Sequence, residues 1–301
     1  MSGGTKENNK NKDEIPLLVG WMRGAYLCLP KNVSMILVCV SLFSALRISV
    51  NYWIVEVLGW PESHQMTIES VSFLPPVMHS VLLCPVLYQL LTCQRYRPVS
   101  RMDEYPLWWQ QTVSACMDLC TAYMIYDGIF LLLKAHWYHE GILSMQDYMY
   151  LGHHFATSLY MASTRIIGAG QSSAMMLMFL GEFTNPFQNL YCFIRFAVQI
   201  DSTRTIWHSL LPASEYLFAI FYAFFRTFLG PGAMAHITYH LILPSTPHTI
   251  PTIITIIYLI MRWGVLIGSI GWTTEAIEMA LDGFHIVKYH KDYDYGPGYE
   301  L

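Results

Sequence analysis

Two polar stretches sit where an apolar chain should not carry them. Gly152-His153-His154-Phe155 lies inside the apolar run 148–167. Gly181-Glu182-Phe183-Thr184-Asn185-Pro186-Phe187 lies inside the next, 171–193. Ionisable groups are costly in hydrocarbon, so a membrane segment that keeps them uses them or pairs them. Reading outward from these stretches gives both the fold class and the candidate site.

The surrounding chain reads as membrane protein. Of its 301 residues 54% are hydrophobic and 13% charged, and the mean hydropathy is +0.35, against roughly 25% charge in soluble domains. Seven segments, near 34–58, 71–92, 112–134, 148–167, 171–193, 209–229 and 249–272, are candidates to span a bilayer, each needing about 20 apolar residues. The fourth is the shortest and least apolar. Strand-like alternation is absent, so the expected fold is an all-α multi-pass bundle of about seven transmembrane helices, not a barrel.

The net charge of −4 is small, and nucleic acid is excluded as a partner. Cys28, Cys39, Cys84, Cys93, Cys116, Cys120 and Cys192 lie in or beside apolar runs and read as packing residues rather than a disulfide framework. The polar stretch Ser2–Glu14 reads as a disordered tail, without a signal-peptide or presequence pattern. The C-terminal stretch is polar and carries no retrieval or lipidation motif. The boundaries expected are a polar tail and approach at 1–30, a first helix at 31–64, a six-helix domain at 65–275 and a polar tail at 276–301.

Lys and Arg outside the spans set the orientation. Lys6, Lys10, Lys12, Arg23, Lys31, Arg95, Arg97, Arg101, Arg165 and Arg226 fall on the N-terminal side, ten in all. Lys134, Arg195, Arg204, Lys288 and Lys291 make five on the other. The excess favours a cytosolic or matrix N-terminus, provided the fourth segment crosses.

The internal polar groups fall on definable helix faces. Asp118 and Asp127 are nine residues apart, on opposite faces of one helix, and cannot form a carboxylate pair. Tyr123 shares the face of Asp127, and Tyr126 adjoins it. Glu182, Asn185 and Asn189, at i, i+3 and i+7, make one polar stripe. Pro186 interrupts that helix and frees a carbonyl nearby. Arg226 is expected to find an anionic or carbonyl partner, with Glu182 or Asp127 as the carboxylates in reach; Arg47 and Arg262 are also internal. These groups either neutralise one another as bundle glue or line a polar cavity. Adjacent histidines point about 100° apart. One can therefore face the cavity while the other braces a neighbour. A neutral imidazole beside a carboxylate can serve as a general base, with Glu182 as the candidate orienter.

These residues, in this order, resemble the TLC domain, the family of the translocating-chain-associating, longevity-assurance and ceroid-lipofuscinosis proteins. The resemblance spans about residues 65–275. It rests on Val71-Ser72 with His79-Ser80, Tyr123 with Tyr126-Asp127, Asp147 before His153-His154, the Gly181-Glu182 stripe, and Arg226 with Gly230-Pro231. It implies six helices enclosing a tunnel, with the first segment as an extra helix. The family's ceramide synthases join a fatty acyl group from acyl-CoA to a sphingoid amine through a His-His pair and a later His-Asp followed by a second Asp. This chain keeps the pair but has Gly181-Glu182 at the second place. The resemblance is therefore to the branch that modulates membrane lipid composition or has no known reaction. Ceramide synthases are expected to place the N-terminus in the lumen, opposite to the charge count.

The expectation is thus a lipid-binding protein of membrane lipid homeostasis or sensing. Tyr123, Tyr126, Asp127, Asn185, Asn189 and Arg226 would line the cavity. The alternatives are an acyl-CoA-dependent N-acyltransferase using His153, His154 and Glu182, with acyl-CoA as substrate, and a structural accessory subunit of a larger membrane complex. No metal and no cofactor are expected. His136-x-x-His139, His153-His154 and His236-x-x-x-His240 approach the histidine boxes of di-iron membrane enzymes, but the diagnostic His-x-x-His-His is absent. Membrane lipids, and other membrane subunits in the third reading, are the partners. The membrane is the endoplasmic reticulum or another endomembrane, with the mitochondrial inner membrane as alternative.

Overall fold

The computed structural model describes residues 33–138, 142–243, 246 and 249–283. The tails on either side, with Cys28 and the tail readings, lie outside the described residues, as does His139.

The described chain is helical: α1 Val33–Tyr52, α2 Gln65–Ser70, α3 Leu74–Cys93, α4 Leu107–Tyr138, α5 Met145–Ile167, α6 Gln171–Glu182, α7 Asn185–Ile200, α8 Thr205–Phe224, α9 Gly230–Ile242, α10 Thr252–Gly268 and α11 Ile270–Gly283. Five spans are long and apolar enough to cross a membrane: 33–57, 65–93, 107–137, 205–242 and 252–281. The last continues beyond the boundary expected at 275.

The fourth and fifth segments fall below that apolar threshold, yet contacts between the loops show that they run from one end of the bundle to the other. The α3–α4 loop meets the α5–α6 turn through Met102 N–H to the Gly168 carbonyl at 2.8 Å and Gly170 N–H to the Ser100 carbonyl at 3.1 Å. At the other end Arg204 donates to the Leu58 carbonyl at 3.2 Å. The chain therefore alternates ends at every rod, α5 included. Of the cations counted for orientation, Arg165, Arg226, Lys134 and Arg195 lie within helices. Arg95, Arg97 and Arg101 remain in the described loops at one end, against Arg204 at the other, so the excess keeps its sign.

Local sequence sets these boundaries. Ser144 caps α5: its hydroxyl accepts from Asp147 N–H at 3.1 Å, while Asp147 accepts from Ser144 N–H at 2.9 Å, a reciprocal capping box. Gly168 closes α5 at φ 71° and Gly170 opens α6 at φ 86°, left-handed positions that glycine takes without steric cost. Asn185-Pro186 starts α7, because proline suits a first helical turn and not a helix interior. The rod therefore breaks at Phe183-Thr184. A π-helical turn, Phe225–Leu229, joins α8 to α9 and carries Arg226.

The main core packs α1, α3, α4, α5, α6, α9 and α10 around Leu83, Leu87, Trp109, Met117, Met161 and Met175. A second cluster, with Tyr191, Phe218, Tyr222 and Met279, joins α7, α8 and α11. Isoleucines of α10 such as Ile253, Ile256, Ile260 and Ile267 face outward, as lipid-facing side chains do. The six described cysteines are free thiols.

Candidate functional site

Three elements meet at Glu182, the last residue of α6. Its Oε2 accepts from His79 Nδ1 at 3.1 Å, Ser80 Oγ at 2.9 Å and Asn185 Nδ2 at 2.9 Å. The first two come from α3; Asn185 reaches back across the Phe183-Thr184 break. The carboxylate is 5% exposed and His79 fully buried. Three donors on one oxygen are what an ionised carboxylate needs away from water.

A second pair lies beside the first. His154 Nε2 on α5 stands 2.7 Å from Asp127 Oδ2 on α4. Between the pairs is Tyr123. His79 stacks on its ring at 4.3 Å, His154 meets its edge at 6.4 Å, and Phe43 of α1 packs against His79, Tyr123 and Tyr126. One continuous layer thus runs from Asn185 through Glu182, His79, Tyr123 and His154 to Asp127.

The protonation pattern follows from the acceptors. A carboxylate only accepts, so it fixes the proton of His79 on Nδ1 and that of His154 on Nε2. In the neutral imidazoles the other nitrogens, His79 Nε2 and His154 Nδ1, are acceptors. Both are buried and neither has a hydrogen-bond partner among the described residues.

The adjacent histidines diverge as their spacing requires. His154 braces α4, while His153 lies within the electrostatic reach of Glu182 and Arg226. Arg226 takes the carbonyl alternative rather than a carboxylate. Its Nη2 donates to the Gly181 carbonyl at 3.4 Å, its guanidinium lies 5.2 Å from the Tyr222 ring, and its Nε is buried without a partner. The Phe183-Thr184 break frees that carbonyl. Its donation therefore goes to the residue before Glu182, and no ion pair to Glu182 or Asp127 forms. Asn189 donates to the Asn185 carbonyl at 2.8 Å, so the third residue of the stripe stabilises α7 and stays out of the network.

Glu182 does not orient the His153-His154 pair; Asp127 orients His154. Face arithmetic on single helices cannot say which helix will be the neighbour. His79 and Ser80 were missing from the candidate residues read from the sequence. The signal was there: an imidazole inside an apolar helix is as costly on α3 as on α5. Asp118, on the other face of α4 from Asp127, pairs with Arg165 at 2.5 Å. That is the bundle-glue arrangement, and Arg165 also donates to the Ser114 carbonyl at 2.7 Å. Among the described residues no three His, Cys, Asp or Glu side chains converge as metal ligands. His236 and His240 stand in a cleft at the bundle end, with Tyr96.

A helical membrane bundle with histidine–carboxylate pairs buried between its helices is the class that fold and site define. The family model for the TLC domain (TRAM_LAG1_CLN8) matches residues 65–278, and the chain belongs to that family. No curated protein matches the chain.

Proposed function

We propose that the bundle binds a membrane lipid whose polar group carries a hydroxyl or amine donor, and that it serves lipid homeostasis or sensing. The observation that supports this most is the pair of bare, buried imidazole nitrogens, His79 Nε2 and His154 Nδ1. A buried acceptor left unpaired costs about 1–3 kcal/mol. A donor headgroup at this layer removes that cost twice, and Arg226 Nε offers a donor in return. Asp127, Glu182 and Asn185 hold the two imidazoles, while Tyr123 and Tyr126 form the aromatic wall.

The test is titration of the delipidated protein with a fluorescent diacylglycerol or sphingoid base. Saturable binding is expected, weakened about tenfold by His154→Ala, the size of one lost buried hydrogen bond. Binding that is absent, or indifferent to His79→Ala and His154→Ala, contradicts the reading.

One observation favours a second reading, acyl transfer. Asp127 stands 2.7 Å from His154, a carboxylate directly beside the histidine pair. His154 Nδ1 can then take the proton from a sphingoid amine as its nitrogen attacks an acyl thioester, with CoA thiolate leaving. Against it, Gly181-Glu182 stands where the family's enzymes carry His-Asp, and Glu182 is held by three donors. CoA release by the wild-type protein, lost in His154→Ala, would put this reading first.

A further inference from the structure

A separate site stands at the bundle end that carries Arg95, Arg97 and Arg101. A cleft of about 540 Å³ opens there between the α3–α4 loop, α9 and the start of α10, lined by Arg95, Tyr96, Ser100, His236, His240 and Thr249. Glu104, also at its edge, is occupied: it accepts from Arg97 and from Arg101 N–H, both at 3.2 Å. Arg95 has no such partner among the described residues. The Tyr96 ring tilts against His236 at 5.8 Å, and His236 meets His240 at 4.7 Å.

A buried cation stands on α10, near the cleft residue Tyr96. Arg262 is 5% exposed, and its Nε donates to the Tyr258 carbonyl one turn earlier at 3.0 Å. That bond turns the guanidinium toward the start of α10, the cleft end of the helix. It lies 5.8 Å from the Tyr160 ring, and its charge reaches the Tyr96 hydroxyl. Nη1 and Nη2 are buried without hydrogen-bond partners among the described residues, and so is the Tyr96 hydroxyl. An uncompensated buried guanidinium is costly.

We propose that this cleft binds a phosphate monoester, and that the phosphate belongs to a lipid. A monoester carries about −1.5 to −2 charges at neutral pH and three strong acceptor oxygens. That matches Arg95 at the mouth and the buried Arg262 behind Tyr96, with the Tyr96 hydroxyl and the imidazoles as donors. Exposed apolar side chains stand on the same helices, Tyr239 of α9 beside His240 and Ile253 near the start of α10. An acyl chain leaving the cleft would lie along them. The site lies at the cation-rich end and stands independently of the layer around Glu182.

The test uses the full chain purified in detergent, with dihexanoyl phosphatidate, inorganic phosphate and dihexanoyl phosphatidylcholine as probes in calorimetric titration. Phosphatidate should bind, at least tenfold tighter than phosphatidylcholine, and Arg95→Gln should weaken it about tenfold, one charge-assisted contact's worth. Arg262→Met should abolish binding; if that variant does not fold, Arg95→Gln combined with His240→Gln at the exposed rim decides. Inorganic phosphate binding as tightly as phosphatidate would overturn the lipid source. Phosphatidate binding no tighter than phosphatidylcholine, or unchanged in the rim variants, would overturn the site.

Discussion

His79 of α3 and Glu182 of α6, 103 residues apart in sequence, meet at 3.1 Å across a layer closed to solvent. The contact ties the front of the family-matched region to its middle. It also sets the hydrogen-bonding state of the site, because Glu182 fixes which nitrogen of His79 bears the proton.

Glu182→Ala should therefore be the most damaging single change in the layer. It strands His79, Ser80 and Asn185 without their common acceptor, and each buried donor left unpaired costs about 1–3 kcal/mol. Thermal unfolding in detergent should show a large drop, with Glu182→Gln recovering part of it. An unchanged midpoint for Glu182→Ala would show that the three contacts are not made.

The Asp118–Arg165 pair should behave differently when both ends go. Arg165→Met leaves Asp118, which is fully buried, without its counterion and should cost about 3–5 kcal/mol. The double change Asp118→Leu with Arg165→Met should recover most of that, as buried pairs replaced by apolar residues often do. A double-mutant cycle giving no coupling would contradict the ion pair.

Arg226→Ala should cost little in stability, about 1 kcal/mol, because its described contact is one long bond to a carbonyl. Its effect should appear in lipid affinity, through the loss of the Nε donor. A stability loss as large as that of Glu182→Ala would instead show that Arg226 carries a carboxylate.

The sequence showed much of this and missed a definable part. Seven rods were readable from apolar length, and Pro186 marked the break of the fifth. Partners close in sequence were legible: Asn185 bonds Glu182 at 2.9 Å across the break between α6 and α7. Partners distant in sequence were not. Glu182 was read as the candidate orienter of the histidine pair and bonds His79 instead; Arg226 was given an anionic or carbonyl partner and takes the Gly181 carbonyl rather than a carboxylate. Helical periodicity says which side chains share a face, and only packing says what that face meets. His79 was noted only as part of the family pattern and not as a site residue, although the same cost argument that singled out His153-His154 applied to it.

The account turns on whether this layer holds a lipid. Native mass spectrometry of the protein purified in mild detergent tests it most directly. The account predicts one lipid retained per chain, with a hydroxyl or amine donor in its headgroup, and its loss from the folded double variant His79→Ala with His154→Ala. A wild-type protein that carries no lipid, or a double variant that keeps the same lipid at the same occupancy, would contradict it.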